Sequence, residues 1–231
     1  MITYEHLENR IVFMTKLRTG RQKYYDIFSH FYDLFIKLHS NKDKDETRRF
    51  IVDSSRLQKD KRQPKVLDIC CGTGSVILAF ADQFSDIFAI GYDFSHGMLN
   101  KAKEKNVSDK VIFIMGDAAR LSFADECFDI VCCSHALYEL KGLVRKKALL
   151  EMKRVVKPNG RVLIMEHEIP RKKIIKILFC IRLLMMGSKD SQEFLKKGIM
   201  PFQEIFTSVT LSHTRSGKSK LFICKKFHPP E

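Results

Sequence analysis

The segment VLDICCGTG, residues 66–74, constrains the fold of this chain more than any other segment. Its first half is apolar and predicts a buried strand, while Gly72 and Gly74 in its second half predict a turn that opens a helix. Backbone amides at such a turn approach a ligand closely, because glycine has no Cβ. The segment therefore predicts a strand, a turn and a helix that together bind a nucleoside cofactor.

Short apolar runs alternate with helical spacing from Lys65 onward, which is typical of a parallel sheet wound with helices. The sequence around 158–160, Pro-Asn-Gly, predicts a turn before the fifth strand. After these elements, a polar turn between two apolar runs predicts an antiparallel hairpin that closes the sheet. The predicted strands cover 66–70, 87–92, 111–115, 128–133, 161–165, 205–211 and 221–226, and the predicted helices cover 74–84, 97–105 and 144–155.

The flanks of this core differ from it in charge. Residues 1–63 hold 14 basic and 9 acidic side chains, residues 64–169 hold 14 of each, and residues 170–231 hold 13 and 4. We predict a helical cap over 1–63 with one helix at 46–57, and a main domain over 64–231 with a lid insertion at 170–200. The aromatic stripe YYDIFSHFYDLF fits either a helix packed on the sheet or a cap over the substrate. In the second case a tyrosine hydroxyl reaches the substrate from Tyr24, Tyr25 or Tyr32.

Two aspartates follow the second and third predicted strands. An acidic residue at the end of the second strand of a nucleotide-binding sheet holds the ribose hydroxyls, and Asp93 occupies that place. Asp117 follows the third strand at the same edge, where its carboxylate can accept from the exocyclic amine of adenine, and Ala118 leaves room for the ring. Each feature alone is also explained by a helix cap or a turn. Their order along the chain favours a cofactor site.

Residues 66–167 resemble the class I S-adenosylmethionine-dependent methyltransferases. VLDICCGTG is similar to the DxGxGxG signature of that family, and GYDFSHGMLNKAKEK to its acidic second-strand motif. The third and fourth strands of the family are matched by GDAARLSFADECFDIVCCSHAL, and its fifth strand is matched by EMKRVVKPNGRVLIME. Cys70 stands where the signature has its first glycine. Small residues are accepted there in the subgroup of ubiquinone and menaquinone C-methyltransferases and related small-molecule and phospholipid N-methyltransferases.

The resemblance implies a Rossmann-like, doubly wound α/β sheet of seven strands with the last one antiparallel, and S-adenosylmethionine as cofactor. It implies that Asp68 orients the loop and reaches the methionine amino group, and that the two glycines line the methionine. A dehydrogenase fits less well, because GxGxxG would need glycine where Ile77 stands. The predicted cofactor-binding residues are Asp68, Cys70, Gly72, Gly74, Asp93, Phe94, Asp117, Ala118 and Ser134.

Methyl transfer needs a positioned acceptor and exclusion of water more than it needs an acid or a base. A carbon or oxygen acid as acceptor nevertheless requires a base. His135, in the segment SHALYEL after the fourth strand, is the predicted base, and His167 at the end of the fifth strand is the second choice. The alternative is that His135 only lines the adenosine or the core. With Tyr25 from the cap, these residues form the predicted catalytic set.

The acceptor is predicted to be a small or lipid-like molecule. Residues 171–186 combine a basic start with a broad apolar face, which fits a structural lid, a lipid or quinone contact at a membrane surface, or a nucleic-acid contact. The segment is too short to span a bilayer and no secretory signal is visible, so we expect a cytoplasmic protein. An RNA-directed methyltransferase and a cofactor-binding protein without catalysis are the alternatives. The spacing of the seven cysteines predicts reduced thiols and no metal site.

Overall fold

In the computed structural model, seven strands form one mixed sheet. The structure describes residues 43–58, 63–107, 110–169 and 189–226, together with residue 177. The strands are β1 (Lys65–Ile69), β2 (Phe88–Asp93), β3 (Val111–Met115), β4 (Phe128–Ser134), β5 (Val156–His167), β6 (Ser208–His213) and β7 (Ser219–Lys225). Their order is β3-β2-β1-β4-β5-β7-β6, in which β1 to β5 are parallel and β7 runs antiparallel to both neighbours. The predicted α/β class, with seven strands and an antiparallel last strand, is confirmed.

Helices cover both faces of the sheet, because the central strands are mostly apolar and are buried on two sides along almost their whole length. On one face α2 packs against β1 and β2, and α1 packs against α2, β5 and β7; on the other face α4 to α6 pack against β4, β5 and β7. In the described ranges no helix is long and apolar enough to cross a membrane. The α-helices are α1 (Asp43–Ser55), α2 (Ser75–Gln83), α3 (His96–Lys105), α4 (Gly142–Val155), α5 (Lys189–Lys196) and α6 (Met200–Gln203), and a 3-10 turn covers Leu137–Glu139.

The predicted cap is described only in part. Helix α1, expected at 46–57, begins three residues earlier, and its side chains Ile51 and Val52 are buried in the core cluster that includes α2. Tyr24, Tyr25 and Tyr32 lie outside the described residues, as do residues 171–186 apart from 177. The cap, the lid and the domain boundary at residue 63 therefore stay predictions.

The turn predicted at Pro158, Asn159 and Gly160 was wrong, because these residues lie inside β5. Strand β4 advances from Phe128 to Ile130 while its partners on β5 advance from Val156 to Arg161, so the extra residues form a bulge. A bulge tolerates proline, since the ladder does not need its missing N–H. Proline and glycine favour a turn in an isolated segment, but pairing with β4 keeps the chain extended through residues 158–160.

Glycine is required in this bulge. A Cβ built on Gly160 would lie 2.7 Å from the backbone oxygen of Asp129, and backbone cannot move away as a flexible side chain can. We predict that Gly160→Ala lowers the free energy of unfolding by about 1–3 kcal/mol, the range for overpacking. Urea denaturation monitored by circular dichroism measures it. Asn159→Ala is the matched control in the same bulge, since Asn159 is exposed, and equal stability of the two variants would contradict the prediction.

Candidate functional site

The loop after β1 has an unusual backbone. Cys70, Gly72 and Gly74 all have positive φ, at 56°, 54° and 76°. A Cβ on Gly74 would lie 3.0 Å from the ring of Phe113, so glycine lets α2 begin close to β3. A Cβ on Gly72 would meet no atom within 4 Å, so this side of the loop is open. The left-handed backbone explains why glycine is favoured at the position of Cys70, where a side chain is strained.

Asp93 connects this loop to the end of β2. Its Oδ2 accepts a hydrogen bond from the amide of Gly72 at 2.8 Å, and its Oδ1 accepts one from the amide of Ser95 at 2.9 Å. Burial raises the pKa of Asp93, and the amide hydrogen bonds oppose that rise. The two oxygens together offer about four lone pairs, and the amides of Gly72, Ser95 and Phe94 do not use all of them, so the carboxylate can still accept from a ligand hydroxyl.

Asp68 is buried inside the sheet, one residue before the end of β1. It is 1% exposed and pairs in register with Cys132 of β4, whose thiol donates to Oδ1 at 3.4 Å. Burial raises the pKa of Asp68 to about 7, with the negative charge of Asp93 adding to the rise and the thiol opposing it. A carboxyl this deep acts on the loop above it through the backbone more readily than on a ligand.

The remaining predicted cofactor residues follow β2, β3 and β4 at the same carboxyl edge. Phe94 comes directly after Asp93 and is half-buried. Asp117 follows β3, and its Oδ1 accepts from the amide of Ala119 at 3.0 Å. Ala118 is 8% exposed and packs in the core cluster. The parallel register of the strands brings these residues to the side of the sheet where the glycine loop opens.

The two predicted histidines lie together. The ring centroids of His135 and His167 are 4.3 Å apart, although 32 positions separate the residues in the sequence. His135 has a φ of 52°, and its amide donates to the carbonyl of Met165 at 2.7 Å. Its Nδ1 lies 3.0 Å from Ser134 Oγ and its Nε2 lies 3.0 Å from Ser219 Oγ. Both ring nitrogens therefore face hydroxyl groups.

Sequence reasoning missed Ser219, which begins β7 and pairs in register with His167. Ser219 is 5% exposed and lies 84 positions after His135. No local motif marks it, since the only signal was the polar turn of the hairpin. The antiparallel pairing of β5 with β7 alone brings its hydroxyl to the histidine pair.

Glu166 directly precedes His167 in β5 and is 1% exposed. Its Oε1 accepts from the amide of Tyr138 at 3.1 Å, which fixes the 3-10 turn, and its Oε2 has no hydrogen-bond partner among the described residues. Burial raises the pKa of Glu166 to about 8, so the carboxyl is mostly protonated at pH 7. Arg145 also holds this turn, through a 3.0 Å bond from Nε to the carbonyl of Leu137 and an ion pair with Asp190.

The site is acidic although the chain carries a net charge of +14. The negative charge of Glu139 raises the pKa of both Asp93 and Glu166, which places it within electrostatic reach of each. With Asp68, four carboxyl groups surround the same edge of the sheet. Such a cluster favours a cationic ligand, because a positive charge relieves the repulsion between the carboxylates that are ionised.

Comparison with known proteins agrees with this geometry. A family model described as a methyltransferase domain matches residues 66–160. The demethylmenaquinone methyltransferase of Staphylococcus aureus strain JH9 is 32% identical over 161 residues, which cover 64% of this chain and 66% of that protein. The chain belongs to the class I S-adenosylmethionine-dependent methyltransferases. The family predicted from VLDICCGTG and the motifs after it is confirmed.

Solved structures show the same fold. A methyltransferase in complex with the Haloferax volcanii Trm112 activator superposes with a TM-score of 0.68 at 16% identity, covering 88% of this chain and 98% of that one. A Haemonchus contortus phosphoethanolamine N-methyltransferase in complex with S-adenosyl-L-methionine has a TM-score of 0.56 at 17% identity, covering 79% and 52%. At these identities the likeness shows the arrangement of strands and helices.

We predict that Asp93→Ala abolishes measurable binding of S-adenosylhomocysteine. The loss of about two charge-assisted hydrogen bonds corresponds to a weakening of roughly 100-fold or more. Isothermal titration calorimetry measures it, with Asp82→Ala as control because Asp82 is an exposed aspartate of α2. Unchanged affinity in a folded Asp93→Ala protein would remove the ribose-binding role.

Glu166 also makes stability depend on pH. Its pKa is 4.5 in the unfolded chain and about 8 in the folded protein, so the folded state binds the extra proton between these values. The stability is full below pH 4.5 and is lost as the pH rises toward 8, with a slope of at most about 1.4 kcal/mol per pH unit. We predict that Glu166→Gln flattens this part of the pH profile of urea unfolding. A profile that keeps its slope in the variant would assign the effect to another group.

Proposed function

We propose that this protein transfers a methyl group from S-adenosylmethionine to a small quinone-like or phospholipid-like acceptor, and that His135 removes a proton from the acceptor. The observation that carries the proposal is the paired His135 and His167 at the edge where the open glycine loop and Asp93 also lie. A cofactor site with a neighbouring base is what methylation of a weakly acidic acceptor requires.

The residues of the loop suit this cofactor. When bound, S-adenosylmethionine supplies a methyl group activated by a sulfonium. Gly72 leaves open space where a Cβ would stand, and Asp93 offers carboxylate lone pairs to ribose hydroxyls. Asp117 lies one strand further on, where its carboxylate can accept from an adenine amine. The acidic surroundings formed by Asp93 and Glu139 favour a cationic ligand over a nicotinamide dinucleotide, which brings phosphates.

His135 is arranged to act through Nδ1. Ser219 is buried, so a tautomer that donates from Nε2 to its hydroxyl satisfies the deep side of the ring. Nδ1 then accepts on the side of Ser134, which is half-buried. A neutral imidazole in this tautomer would take the proton of an acceptor hydroxyl at Nδ1 and leave an electron pair on the acceptor. That pair would bond to the methyl carbon while the bond from this carbon to the sulfonium sulfur breaks and its electrons return to sulfur. The ring of His167, tilted by 40° with its centroid 4.3 Å away, packs against the ring of His135 and stabilises its position.

We infer the chemical class of the methyl acceptor from the names of two similar proteins. The Staphylococcus aureus relative is a demethylmenaquinone methyltransferase, and the Haemonchus contortus enzyme methylates a phosphoethanolamine nitrogen according to its name. A reduced quinone carries hydroxyl protons that a histidine can remove, whereas an amine acceptor needs only to lose a proton after transfer. The histidine pair therefore favours the quinone-like acceptor of the two.

We predict that His135→Asn lowers turnover by about 10²–10⁴-fold, the usual range for loss of a general base. Asparagine tolerates positive φ better than alanine, so the backbone at this position is retained. Transfer of a labelled methyl group to a reduced demethylnaphthoquinone, to phosphatidylethanolamine and to RNA measures it. Cofactor affinity is expected to stay unchanged.

The control is His96→Asn, which alters an exposed histidine of α3. Labelling of RNA alone would replace the acceptor proposed here by the alternative based on the basic flanks. Binding of S-adenosylhomocysteine without labelling of any acceptor would favour a cofactor-binding protein. Full turnover in His135→Asn would show that His135 is not the general base.

A further inference from the structure

A cavity lies at the edge of the sheet where the parallel strands begin, opposite the edge that holds the glycine loop. It has a volume of about 440 Å³ and is lined by residues 55–58 at the end of α1, 129–130 in β4 and 157–161 in the bulge of β5. This volume falls within the range of small-ligand sites. The cavity shares no residue with the loop after β1 or with the histidine pair.

The charges of the lining are unbalanced. Arg56, Lys157 and Arg161 are positive, and Asp129 is the one negative residue of the lining. The carboxylate of Asp129 is already used, because it accepts from Lys157 Nζ and from the backbone amide of Lys65, each at 2.8 Å. Two positive charges therefore remain without a counter-charge in the cavity.

These two positive charges belong to Arg56 and Arg161. Among the described residues neither Arg56 nor Arg161 has an ion-pair partner, and Arg161 makes one long bond of 3.4 Å to the carbonyl of Ser54. A guanidinium has five N–H donors, so most of those of Arg161 stay available. Burial lowers the pKa of Arg161 and the positive charge of Arg56 lowers it further, which shows that the two groups lie within electrostatic reach. Arginine stays protonated at neutral pH, so this repulsion persists until an anion binds.

The backbone conformation of Arg56 is also unusual. Arg56 follows the last residue of α1 with a φ of 51°, in the left-handed region that helices usually end on with glycine. A non-glycine residue there costs about 1 kcal/mol. The chain holds an arginine in this conformation at the rim of the cavity, beside a second arginine.

We propose that this cavity binds a phosphate group between the guanidinium groups of Arg56 and Arg161. Arginine forks match phosphate oxygens in pairs, and the bond between them is charge-assisted. The group can belong to a soluble phosphate compound or to the headgroup of an anionic phospholipid, which present the same oxygens. The proposal is independent of the methyl-transfer site on the other edge.

The test uses the full chain and two kinds of probe, soluble phosphates and phospholipid vesicles. Calorimetric titration with inorganic phosphate and pyrophosphate measures soluble binding, and co-sedimentation with phosphatidylglycerol or phosphatidylcholine vesicles measures binding to a headgroup. Arg161→Gln and Arg56→Gln are each expected to weaken binding about 10-fold or more, as for loss of a charge-assisted hydrogen bond. Arg49→Gln, which removes an exposed arginine from the same helix, is expected to leave it unchanged.

The outcomes separate the two sources. If the arginine variants bind only the soluble phosphates more weakly, the ligand is a soluble phosphate compound. If they bind only the phosphatidylglycerol vesicles more weakly, the ligand is a phospholipid headgroup. Binding of S-adenosylhomocysteine and the thermal midpoint confirm that each variant is folded. Because Arg56 is exposed, its variant decides the result if Arg161→Gln fails to fold. The absence of binding to either probe, or equal binding in Arg56→Gln and Arg49→Gln, would overturn the proposal.

Discussion

The hydrogen bond from the amide of Gly72 to the carboxylate of Asp93 is the contact on which the carboxyl edge of this sheet depends. It connects a left-handed loop after β1 to the end of β2, and it fixes the carboxylate beside the open side of that loop. A charge-assisted bond of this kind is about twice as strong as a neutral one. The loop can therefore keep three residues of positive φ, one of which is a cysteine.

Buried carboxyl groups distinguish this edge from the rest of the molecule. Asp68 and Glu166 lie under the glycine loop and under the histidine pair, and burial raises the pKa of each toward or above neutral. Their desolvation is tolerated because a protonated carboxyl carries no charge. The polar groups that hold them, a thiol and a backbone amide, come from β4 and from the 3-10 turn. Local stability is thereby linked to pH in the part of the chain that holds the site.

The two edges of the sheet carry different ionisable groups, carboxyl groups at one and guanidinium groups at the other. The carboxyl edge gathers Asp68, Asp93, Glu139 and Glu166, whereas the cavity at the amino edge keeps Arg56 and Arg161 without counter-charges among the described residues. A net charge of +14 averages over both and describes neither. Opposite edges of a parallel sheet can bind different ligands, since the connections at each edge vary independently of the buried strands.

The sequence by itself determined the fold class, the family and the order of the cofactor motifs, because apolar runs, the glycines of VLDICCGTG and the aspartates after β2 and β3 are local patterns. It also predicted a turn at 158–160, which was wrong because the pairing of β5 with β4 makes this segment a bulge inside the strand. Tertiary structure alone brought His135 to His167, through the parallel pairing of β4 with β5. It also brought Ser219 to both, because the antiparallel pairing of β7 with β5 places it beside residues far away in the sequence. Contacts across neighbouring strands depend on register, which is set by the packing of the whole sheet and leaves no local pattern in the chain.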